Sequence, residues 1–583
     1  MDYQALSYDM CRRYVNDQKG RLDDSVINLV LGWIRSRDIN RLSSCSDYIP
    51  QAYSSEDLAR FVRQVAAFFK KNSAFSNQNV CNKAAYEAFE KAELVCKITN
   101  KRLDHYFRYP ERLNSRLSSD VSAVQRIIAD TLGEPGDFYE VLPREIRVTA
   151  GATSTRSRKN SLPYLKVRLR NLPCTKRAQP YLRTIATLLG YDKVSFRTVL
   201  TNRVETVPKN WKTARTIACE PEGNLFLQLA LDSYIKGRLR TLGVNLADQS
   251  WNQSLSRKAS IDGNFSTIDL SMASDTVAIN TVAYLFPSDW YKIAADFRSP
   301  FGRGFGRLWK YEKFSSMGNG STFTIESLIF AACCKAVGCK KFAVYGDDLV
   351  IPSAKVERLL ALLQFLGFSV NESKSFTTGS FRESCGTDWF AGKDVTPFYL
   401  RWANSKQIEL CHIVNGLGSV CYPESQLAEF LGQLVTDHDL PLVPLNDSSI
   451  SGVWVTIHDA YSQGLIRTTR KYTGLQFFKA YSPKTRIRKV YDSRTYFLWH
   501  LDANRNIKRK LMPTYHPFLV GFNIRPFEGI QTSCIIRSEV PLFTHSYKWK
   551  RVSWVPNPGM VTPVHLYWWS DFIIRRKADM KVR

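Results

Sequence analysis

The chain has 583 residues, of which 44% are apolar and 23% charged, a composition that excludes a largely disordered protein. Its 81 lysines and arginines against 53 acidic residues give a formal charge of +28, which favours a polyanionic partner, most commonly nucleic acid. The thirteen cysteines form no Cys-x-x-Cys pair, which argues against a zinc or iron–sulfur site and against a disulfide framework.

Neither a signal peptide nor a membrane span is predicted. The first residues, Met1-Asp2-Tyr3-Gln4, lack the basic-then-apolar order of a signal peptide, and the apolar stretch Val26–Ile34 is too short to cross a bilayer. No basic amphipathic anchor is evident, so no membrane partner is expected. Together with the scattered cysteines, these features predict a protein of a reducing, cytoplasmic compartment.

The N-terminal region, over residues 1–110, is predicted to be mostly helical. Asp57–Lys70 and Ala84–Thr99 carry apolar residues at helical spacing. A polar and basic stretch follows over residues 150–170, whose composition suits either a loop or hairpin that faces nucleic acid or a solvated surface loop.

Short β-like runs alternate with helical ones over residues 262–400. The clearest pattern is a hairpin whose arms, Phe342–Tyr345 and Leu349–Ile351, flank Gly346-Asp347-Asp348. The other predicted elements of this stretch are a strand over Phe265–Leu270, a helix from about Ser274, a helix over Phe323–Val337 and a helix over Val356–Leu366.

Three acidic residues would meet if the strand that ends at Asp269 lies beside the hairpin that carries Asp347 and Asp348. Nucleotidyl transfer needs two Mg²⁺ ions about 3.5–4 Å apart, and hard cations prefer carboxylates. Gly-Asp-Asp alone is a common turn. Here a glycine-rich loop, Met317–Gly320, also opens a helix and can approach a sugar–phosphate backbone, which makes the ordered set far more specific.

In this order the three segments resemble motifs A, B and C of right-hand RNA-dependent RNA polymerases. More narrowly, they resemble the replicase catalytic subunits of small positive-strand RNA bacteriophages, the Qβ-like group, over roughly residues 150–401. The segments that carry the resemblance are Thr206–Asn210, Asp269–Asp275, Tyr311–Gly320, Glu326–Phe330, Tyr345–Asp348, Phe381–Gly386 and Asp394–Tyr399.

The resemblance implies an α+β fold with fingers, palm (an antiparallel sheet plus helices) and thumb. After the helical region of residues 1–110, we expect fingers with a basic nucleotide- and template-binding segment over 111–262, the catalytic palm over 263–400, and a thumb and basic C-terminal region over 401–583. The implied activity is template-directed RNA synthesis from ribonucleoside triphosphates by two-metal-ion transfer, replicating a viral positive-strand genome.

The resemblance also assigns catalytic roles. Asp269 and Asp347 are the principal metal ligands and Asp348 an auxiliary one, for two Mg²⁺ ions that Mn²⁺ or Ca²⁺ could replace in binding. Lys374 resembles the motif D lysine that protonates the leaving pyrophosphate. The alternative for Lys374 is an ordinary surface lysine after a helix.

The triphosphate is expected to contact Lys209, Lys212 and Arg215, which resemble the basic motif F. The alternative is a plain charged surface. Motif E is expected to support the 3′ end of the growing strand, with Arg382 as its phosphate contact.

Ribose selection requires a polar group at the 2′-hydroxyl, because that group alone distinguishes RNA from DNA precursors. The candidates are Ser274 or Asp275, together with Asn319, Thr322 and Glu326. Many related polymerases of animal viruses have an asparagine where Glu326 stands, and Asp275 could instead be a charge at a helix N-terminus.

Two further segments are basic. Phe301–Arg307 is glycine-rich but lacks the order of a phosphate-binding P-loop, so we predict a flexible basic loop. Basic and aromatic residues alternate over 467–491, which suits a thumb that grips RNA, a docking face for host proteins, or an aromatic core with a basic rim. In the glycine-rich loop Met317–Gly320, Gly318 and Gly320 are expected to approach the RNA.

The expected partners are the RNA template and product, ribonucleoside triphosphates and, by resemblance, host elongation factors Tu and Ts and a small-subunit ribosomal RNA-binding protein. The expected location is the cytoplasm of an infected bacterial host. Two alternatives stay open on the sequence: a reverse transcriptase, which shares the palm, and a non-catalytic basic RNA-binding or packaging protein.

Overall fold

The structure is a computed structural model, and its described residues form two compact units. One unit lies within residues 2–77 and 396–455 and includes the strands after residue 455, and the other lies within 78–395. The described residues are 2–149, 151–157, 166, 171–188, 195–401, 406–444 and 452–455, and the backbone of strands 467–468, 475–490 and 536–553.

The helices are α1 (Tyr3–Asn16), α2 (Asp24–Arg35), α3 (Ile39–Ser43), α4 (Glu56–Phe69), α5 (Gln78–Arg108), α6 (Ser115–Leu132), α7 (Pro135–Glu145), α8 (Gln179–Leu188), α9 (Glu222–Leu239), α10 (Ser250–Asp262), α11 (Ala273–Thr276), α12 (Ile279–Leu285), α13 (Ser288–Phe297), α14 (Thr322–Ala336), α15 (Val356–Phe365), α16 (Lys406–Gly418) and α17 (Gln426–Asp437). Local sequence explains several of these limits. The Ser55 hydroxyl accepts a hydrogen bond from the Leu58 N–H at the start of α4, and Gly263 ends α10 in the left-handed conformation.

The strands are β1 (Leu172–Cys174), β2 (Phe196–Thr198), β3 (Thr201–Pro208), β4 (Ala214–Cys219), β5 (Phe265–Asp269), β6 (Phe301–Gly304), β7 (Arg307–Lys310), β8 (Ala343–Tyr345), β9 (Asp348–Pro352), β10 (Phe381–Ser384), β11 (Thr387–Phe390), β12 (Lys393–Asp394), β13 (Leu442–Pro444), β14 (Val453–Val455), β15 (Arg467–Thr468), β16 (Leu475–Val490) and β17 (Ile536–Ser553). They form small sheets, and two of these, in the unit within 78–395, organise the candidate site.

The first of these two sheets is antiparallel and has the strand order β5-β9-β8. Thr267 pairs with Val350 and Asp269 with Asp348, so the acidic ends of β5 and β9 lie side by side. The chain around residues 369–376 extends this sheet, because Thr267 and Phe376 exchange backbone hydrogen bonds of 3.1 and 2.8 Å. At this edge of the sheet, the acidic residues of β5 and β9 therefore lie close to the segment that carries Lys374.

The second sheet has the order β4-β3-β6-β7. β3 and β4 are antiparallel, and Val207 pairs with Arg215. β6 pairs in parallel with β3, beginning at the pair Thr201–Phe301. β7 follows after a turn and pairs antiparallel with β6. β3 thus connects the basic turn at residues 209–213, at one of its ends, with the β6–β7 hairpin at the other.

The core of this unit is a large apolar cluster that includes fully buried Phe226, Ile325, Phe330 and Leu363. α14 is buried along most of its length and packs against α6 and α9. In the other unit, a separate cluster is formed by α1, α2, α4, α16 and α17, with Phe61, Phe68 and Leu431 fully buried. Burial of such side chains stabilises each unit by roughly 1.5–3 kcal/mol per side chain.

The glycine-rich segment at residues 301–307 is not a flexible loop, and that prediction is wrong. It forms most of the β6–β7 hairpin, with Gly306 at the turn. A side chain at Gly302 would lie 2.1 Å from the Tyr311 hydroxyl, and one at Gly304 would lie 2.5 Å from the Val204 carbonyl oxygen. The glycines therefore serve close packing of β6 on its neighbours, which composition alone does not reveal.

The predicted helices and the acidic hairpin are confirmed, and so is the α+β class. The hairpin turn contains only Gly346 and Asp347, because Asp348 already pairs with Tyr345 as the first residue of β9. The boundaries of fingers, palm and thumb stay a prediction. The side chains of the basic and aromatic region at 467–491 lie outside the described residues. None of the described helices is long and apolar enough to cross a membrane.

Candidate active site

The acidic turn at Gly346-Asp347-Asp348 packs against α14, which holds it in place. Gly346 has φ +60°, and a side chain there would come within 2.4 Å of the Phe323 ring. The Gly346 N–H donates to the Ser327 hydroxyl at 3.2 Å, and the Phe323 and Tyr345 rings lie 5.1 Å apart. Glycine is required here both by the backbone conformation and by the lack of space. The turn therefore presents Asp347 from a fixed position.

The three predicted acidic ligands do come together. Asp269 pairs with Asp348 across β5 and β9, and Asp347 precedes Asp348. Burial, then the neighbouring charges of Asp347 and Asp269, raises the pKa of Asp348 to about 7. Burial and Asp347 also raise the pKa of Asp269, against the opposite effects of Lys374 and Asn371. Clustered, partly desolvated carboxylates of this kind are stabilised by added positive charge.

Lys374 contacts this acidic cluster directly. Its Nζ lies 3.5 Å from Asp269 Oδ2, and the Asn371 amide donates to the same oxygen at 2.7 Å. Burial lowers the pKa of Lys374, but the charges of Asp269 and Glu383 outweigh it, so the pKa is raised overall. Lys374 is therefore a cationic group with a proton to donate beside the carboxylates. The contact of the Asn371 amide with Asp269 joins two distant segments of the chain, so the sequence did not predict it.

The β10–β11 hairpin adds two groups that the sequence did not point to. Glu383 lies close enough to influence the pKa values of Asp269, Asp348 and Lys374. At the hairpin turn, the Cys385 N–H lies close enough to Asp348 to oppose the rise in the pKa of that carboxyl, and burial and the charge of Asp348 raise the pKa of the Cys385 thiol. Cys385 has φ +47°, a left-handed conformation that few residues other than glycine adopt at low cost. The turn thus places Cys385 beside Asp348.

Two side chains of α10 connect the two hairpins. The Asn252 amide donates to the Asp348 carbonyl oxygen at 3.1 Å, and the Gln253 amide donates to the Cys385 carbonyl oxygen at 3.3 Å. Asn252 is buried. These bonds position the backbone of both turns relative to one helix, an arrangement that can keep catalytic groups rigid.

Glu326 lies beneath the acidic turn. It is 1% exposed, and burial raises its pKa to about 8, although a hydrogen bond with Ser274 opposes the shift. The charges of Asp347 and Asp275 raise it further. Its Oε2 has no hydrogen-bond partner among the described residues. The interaction of Ser274 with Glu326 brings two of the ribose candidates together, one from the segment after β5 and one from α14, and their role at the ribose stays a prediction.

Asp275 is bound by a lysine that the sequence analysis had not singled out. Lys313 is fully buried, with its Nζ 3.0 Å from Asp275 Oδ1 and 3.6 Å from Glu93 Oε1, and it lies 3.8 Å from the centre of the Phe89 ring. A buried ammonium group needs such partners. Asp275 is therefore more than a charge at a helix terminus, and Lys313 controls where it points.

The loop before α14 packs against β4 and α9. The Ala218 N–H donates to the Met317 carbonyl oxygen at 2.8 Å, and a side chain at Gly318 would meet the Ala218 carbonyl oxygen at 2.6 Å. Gly318 is exposed and has φ +104°. The Gly320 N–H donates to Gln228 Oε1 at 2.9 Å. Gly318 is thus open to an RNA backbone, while Gly320 anchors the loop.

The other two ribose candidates of this loop are already engaged. Asn319 Oδ1 accepts hydrogen bonds from the N–H and the hydroxyl of Ser321, and the Thr322 hydroxyl donates to the Ser316 carbonyl oxygen at 3.0 Å. Both residues are at least nine-tenths buried. Their polar groups therefore shape the entry to α14.

The predicted triphosphate-binding residues line the β3–β4 turn. Lys209, Lys212 and Arg215 are all exposed. Desolvation and the nearby charges of Arg215 and Lys374 lower the pKa of Lys209, while Asp269 acts in the opposite sense. Lys209 therefore lies within electrostatic range of the acidic cluster, next to Lys374. Lys212 lies within the turn, where its N–H donates to Asn210 Oδ1.

Arg382 cannot reach a phosphate in this structure, and the structure contradicts the predicted contact. Its side chain is fully buried, and its guanidinium donates to the carbonyl oxygens of Phe265, Thr378, Gly379 and Phe381 at 2.7–3.1 Å. The arginine binds the main chain of β5 and of the turn before β10. The sequence shows the charge of this residue but not the carbonyl groups that surround it.

The family RNA replicase, beta-chain, matches residues 24–419. The chain is 36% identical over 407 residues to the RNA-directed RNA polymerase subunit beta of Escherichia virus Qbeta, covering 68% of this chain and 69% of that relative. It is 40% identical over 231 residues to the RNA-directed RNA polymerase beta chain of Escherichia phage MS2, covering 39% of this chain and 42% of the relative.

Solved structures give weaker similarities. The RNA-dependent RNA polymerase of BmCPV at elongation state aligns with a TM-score of 0.35 and 10% identity, over 57% of this chain and 34% of that one. An insertion loop deletion mutant of the polymerase of a human picorbirnavirus aligns with a TM-score of 0.30 and 10% identity, over 59% and 84%. Because these scores are low, the assignment rests on the family match.

The α+β fold and the family match together define the class of the protein, a template-directed nucleic-acid polymerase. The chain belongs to the RNA replicase beta-chain family. It is an enzyme, an RNA-directed RNA polymerase, and it binds RNA and nucleotides. The non-catalytic alternative is thereby excluded.

Proposed function

We propose that this polymerase adds ribonucleotides by two-metal-ion transfer at Asp269, Asp347 and Asp348. The observation that carries the proposal is the pairing of Asp269 with Asp348 across β5 and β9, with Asp347 at the adjoining turn. When bound, Mg²⁺ would activate the attacking 3′-oxygen and neutralise charge on the phosphates. Mn²⁺ or Ca²⁺ is expected to replace it in binding.

The residues present fit such ions. Burial and mutual repulsion raise the pKa values of Asp269 and Asp348, and a divalent cation would relieve that repulsion. Among the described residues, no three acidic, histidine or cysteine side chains already form a metal cage. Mg²⁺ usually takes one or two carboxylates and completes its shell with water and substrate phosphates, so a preformed cage is not required.

The basic residues would handle the phosphates. Lys209, whose pKa is influenced by Asp269 and Asp347, would bind the triphosphate together with Arg215, and Lys212 lies within the same turn. Lys374, whose pKa is raised by Asp269 and Glu383, carries the proton that the leaving pyrophosphate requires. Ser274, Asp275 and Glu326 lie together on the side where the ribose would enter.

The decisive variant is Asp347→Asn, which keeps the size of the side chain and removes a charge from the metal ligands. We expect nucleotide incorporation to fall at least about a hundredfold, because charge stabilisation by metal ions is worth several kcal/mol. RNA binding, measured without metal, should persist. Asp130→Asn, an exposed change on α6, is the matched control. Normal template extension by Asp347→Asn would overturn the proposal.

Selectivity for the sugar is tested separately. Incorporation of ribonucleotides and deoxyribonucleotides by the same enzyme on an RNA template should differ strongly in favour of the ribonucleotide. Ser274→Ala and Lys313→Met should reduce that preference more than they reduce the rate with ribonucleotides, since Lys313 holds Asp275 at 3.0 Å. Equal use of both sugars by the unaltered enzyme would favour a reverse transcriptase.

We further propose that the enzyme replicates a viral positive-strand RNA genome in the cytoplasm of an infected bacterium. Family membership supports a role there for host elongation factors Tu and Ts and a small-subunit ribosomal RNA-binding protein. No described residue is assigned to these contacts. Template extension by the purified chain, alone and with each bacterial protein, tests the proposal, and full activity of the chain alone on its genomic template would contradict it.

A further inference from the structure

A groove of about 710 Å³ lies in the unit within 78–395, away from the acidic cluster. Its walls are the short segment Ser154–Thr155, the segment 197–201 at and after β2, and the β6–β7 hairpin. Phe301 and Arg303 of β6 and Leu308 of β7 face the groove from the hairpin.

One wall is rigidly held by hydrogen bonds. The Arg203 guanidinium donates to the carbonyl oxygens of Thr153 and Arg156, both at 3.1 Å. The Ser154 N–H donates to the Glu220 carbonyl oxygen at 3.0 Å, in the part of the chain next to β4. The groove therefore has a preformed wall that does not depend on a ligand for its shape.

The groove is basic and partly apolar. Arg197 and Arg303 are its charged residues, and no acidic side chain is among the described residues that line it. Leu200 and Leu308 are 69% and 60% exposed, which is unusual for leucine unless a surface has a partner. Hydroxyl groups of Ser154 and Thr155 complete the lining, and the buried Ser154 Oγ has no hydrogen-bond partner among the described residues.

The tip of the hairpin packs on α5 and does not line the groove. Phe305 has its ring 5.3 Å from that of Tyr86, and the Arg307 guanidinium lies 3.1 Å from Glu90 Oε1. Arg303 is therefore the arginine of the hairpin that faces the groove, and it is exposed. Exposed apolar side chains between the two arginines of the groove match the alternation of bases and phosphates in single-stranded RNA.

We propose that this groove binds single-stranded RNA outside the catalytic centre, with Arg197 and Arg303 on phosphates and Leu200 and Leu308 against bases. The proposal rests on the assignment of the chain as an RNA polymerase. β3 runs from Thr201 at the groove to Pro208 beside the basic turn, a length of about 23 Å at about 3.3 Å per residue. The groove thus holds a stretch of RNA several nucleotides away from the site of addition.

The test is RNA binding by Arg197→Ala, Arg303→Ala and the double variant in metal-free buffer, with an unstructured RNA of about twenty nucleotides. Each variant should bind roughly three- to tenfold more weakly, and the slope of log K against log salt should fall by about one for each arginine. Arg116→Ala, an exposed change on α6, is the matched control. Single-nucleotide addition at saturating RNA should be unchanged.

A photo-crosslinkable uridine in the same RNA provides a second measurement on the unaltered chain. Crosslinks should map to the peptides that contain residues 197–201 and 301–308. Crosslinks to neither peptide, or salt slopes of the variants equal to that of Arg116→Ala, would overturn the proposal. Variants that keep their affinity for RNA but lose binding to a bacterial protein would also overturn it. A failed polymerase assignment would appear differently, as absent nucleotide addition by the unaltered chain despite normal RNA binding.

Discussion

Glu326 is a carboxylic acid that the fold keeps largely protonated at neutral pH. It is buried beneath the acidic turn, and its pKa is raised to about 8 from an ordinary value of 4.5. The interaction with Ser274 favours the ionised form, and burial outweighs it. The protonated carboxyl can lie near Asp347 without adding a second negative charge.

Burial of Glu326 predicts a specific dependence of stability on pH. Between about pH 4.5 and 8 the folded state holds a proton that the unfolded state has released, so stability falls as pH rises through this window. Glu326→Gln removes this effect. In EDTA, the Tm of the variant relative to the unaltered chain should therefore increase from pH 5 to pH 9. Glu357→Gln, at an exposed position of α15, should show no such trend. A pH-independent difference for Glu326→Gln would contradict the assigned protonation.

At the scale of elements, the β6–β7 hairpin shows how glycines can fix a strand. Gly304 lies where a side chain would be 2.5 Å from the Val204 carbonyl oxygen. Backbone atoms of a paired strand cannot easily yield, so Gly304→Ala should destabilise the chain by roughly 1–3 kcal/mol. Denaturant unfolding would measure this, with the exposed helical change Gly136→Ala as the control.

The control is expected to have the opposite sign. A side chain at Gly136 meets nothing within 4 Å, and alanine is favoured over glycine in a helix by roughly 0.5–1 kcal/mol. Similar unfolding free energies for Gly304→Ala and the unaltered chain would mean that β6 can move away from β3. That outcome would also mean that the β6 wall of the RNA-binding groove can move.

At the scale of the whole molecule, the described part of the chain contains no disulfide bond. All described cysteines are free, and among them only Cys385 is partly exposed. We therefore expect reducing agents to leave the Tm unchanged. Brief alkylation of the folded chain should modify Cys385 before the other described cysteines, as mass spectrometry of the peptides would show. Early modification of the buried cysteines would indicate that the core opens under native conditions.

Alkylation of Cys385 should also slow nucleotide addition, because the added group would lie beside Asp348, with which Cys385 interacts electrostatically. Catalytic groups lose efficiency when their orientation changes by small distances. Cys385→Ala, which removes the thiol but keeps the N–H, should become resistant to the alkylating agent. Continued inactivation of Cys385→Ala would place the sensitive group elsewhere.

Local patterns in the sequence were enough to predict the helices, the acidic hairpin, the three carboxylates and the basic turn. Periodicity and turn chemistry act over a few residues, so they are visible in a single chain. The family resemblance then supplied the activity, since the order of motifs along the chain is itself a sequence property. Subdomain limits, metal binding and the partners in the host were not decided by either route.

The contacts between distant segments could only come from the tertiary structure. Whether Arg382 reaches solvent depends on the carbonyl oxygens of β5 and of the turn before β10 that surround it, and whether Lys313 binds Asp275 depends on how the chain returns past α11. The glycines of β6 are another example. Their composition predicts a flexible loop, and only the contact with β3 shows that they allow close packing. Burial and partner choice are properties of packing, and the acidic turn at Gly346-Asp347-Asp348 becomes a site only because β5 pairs with β9.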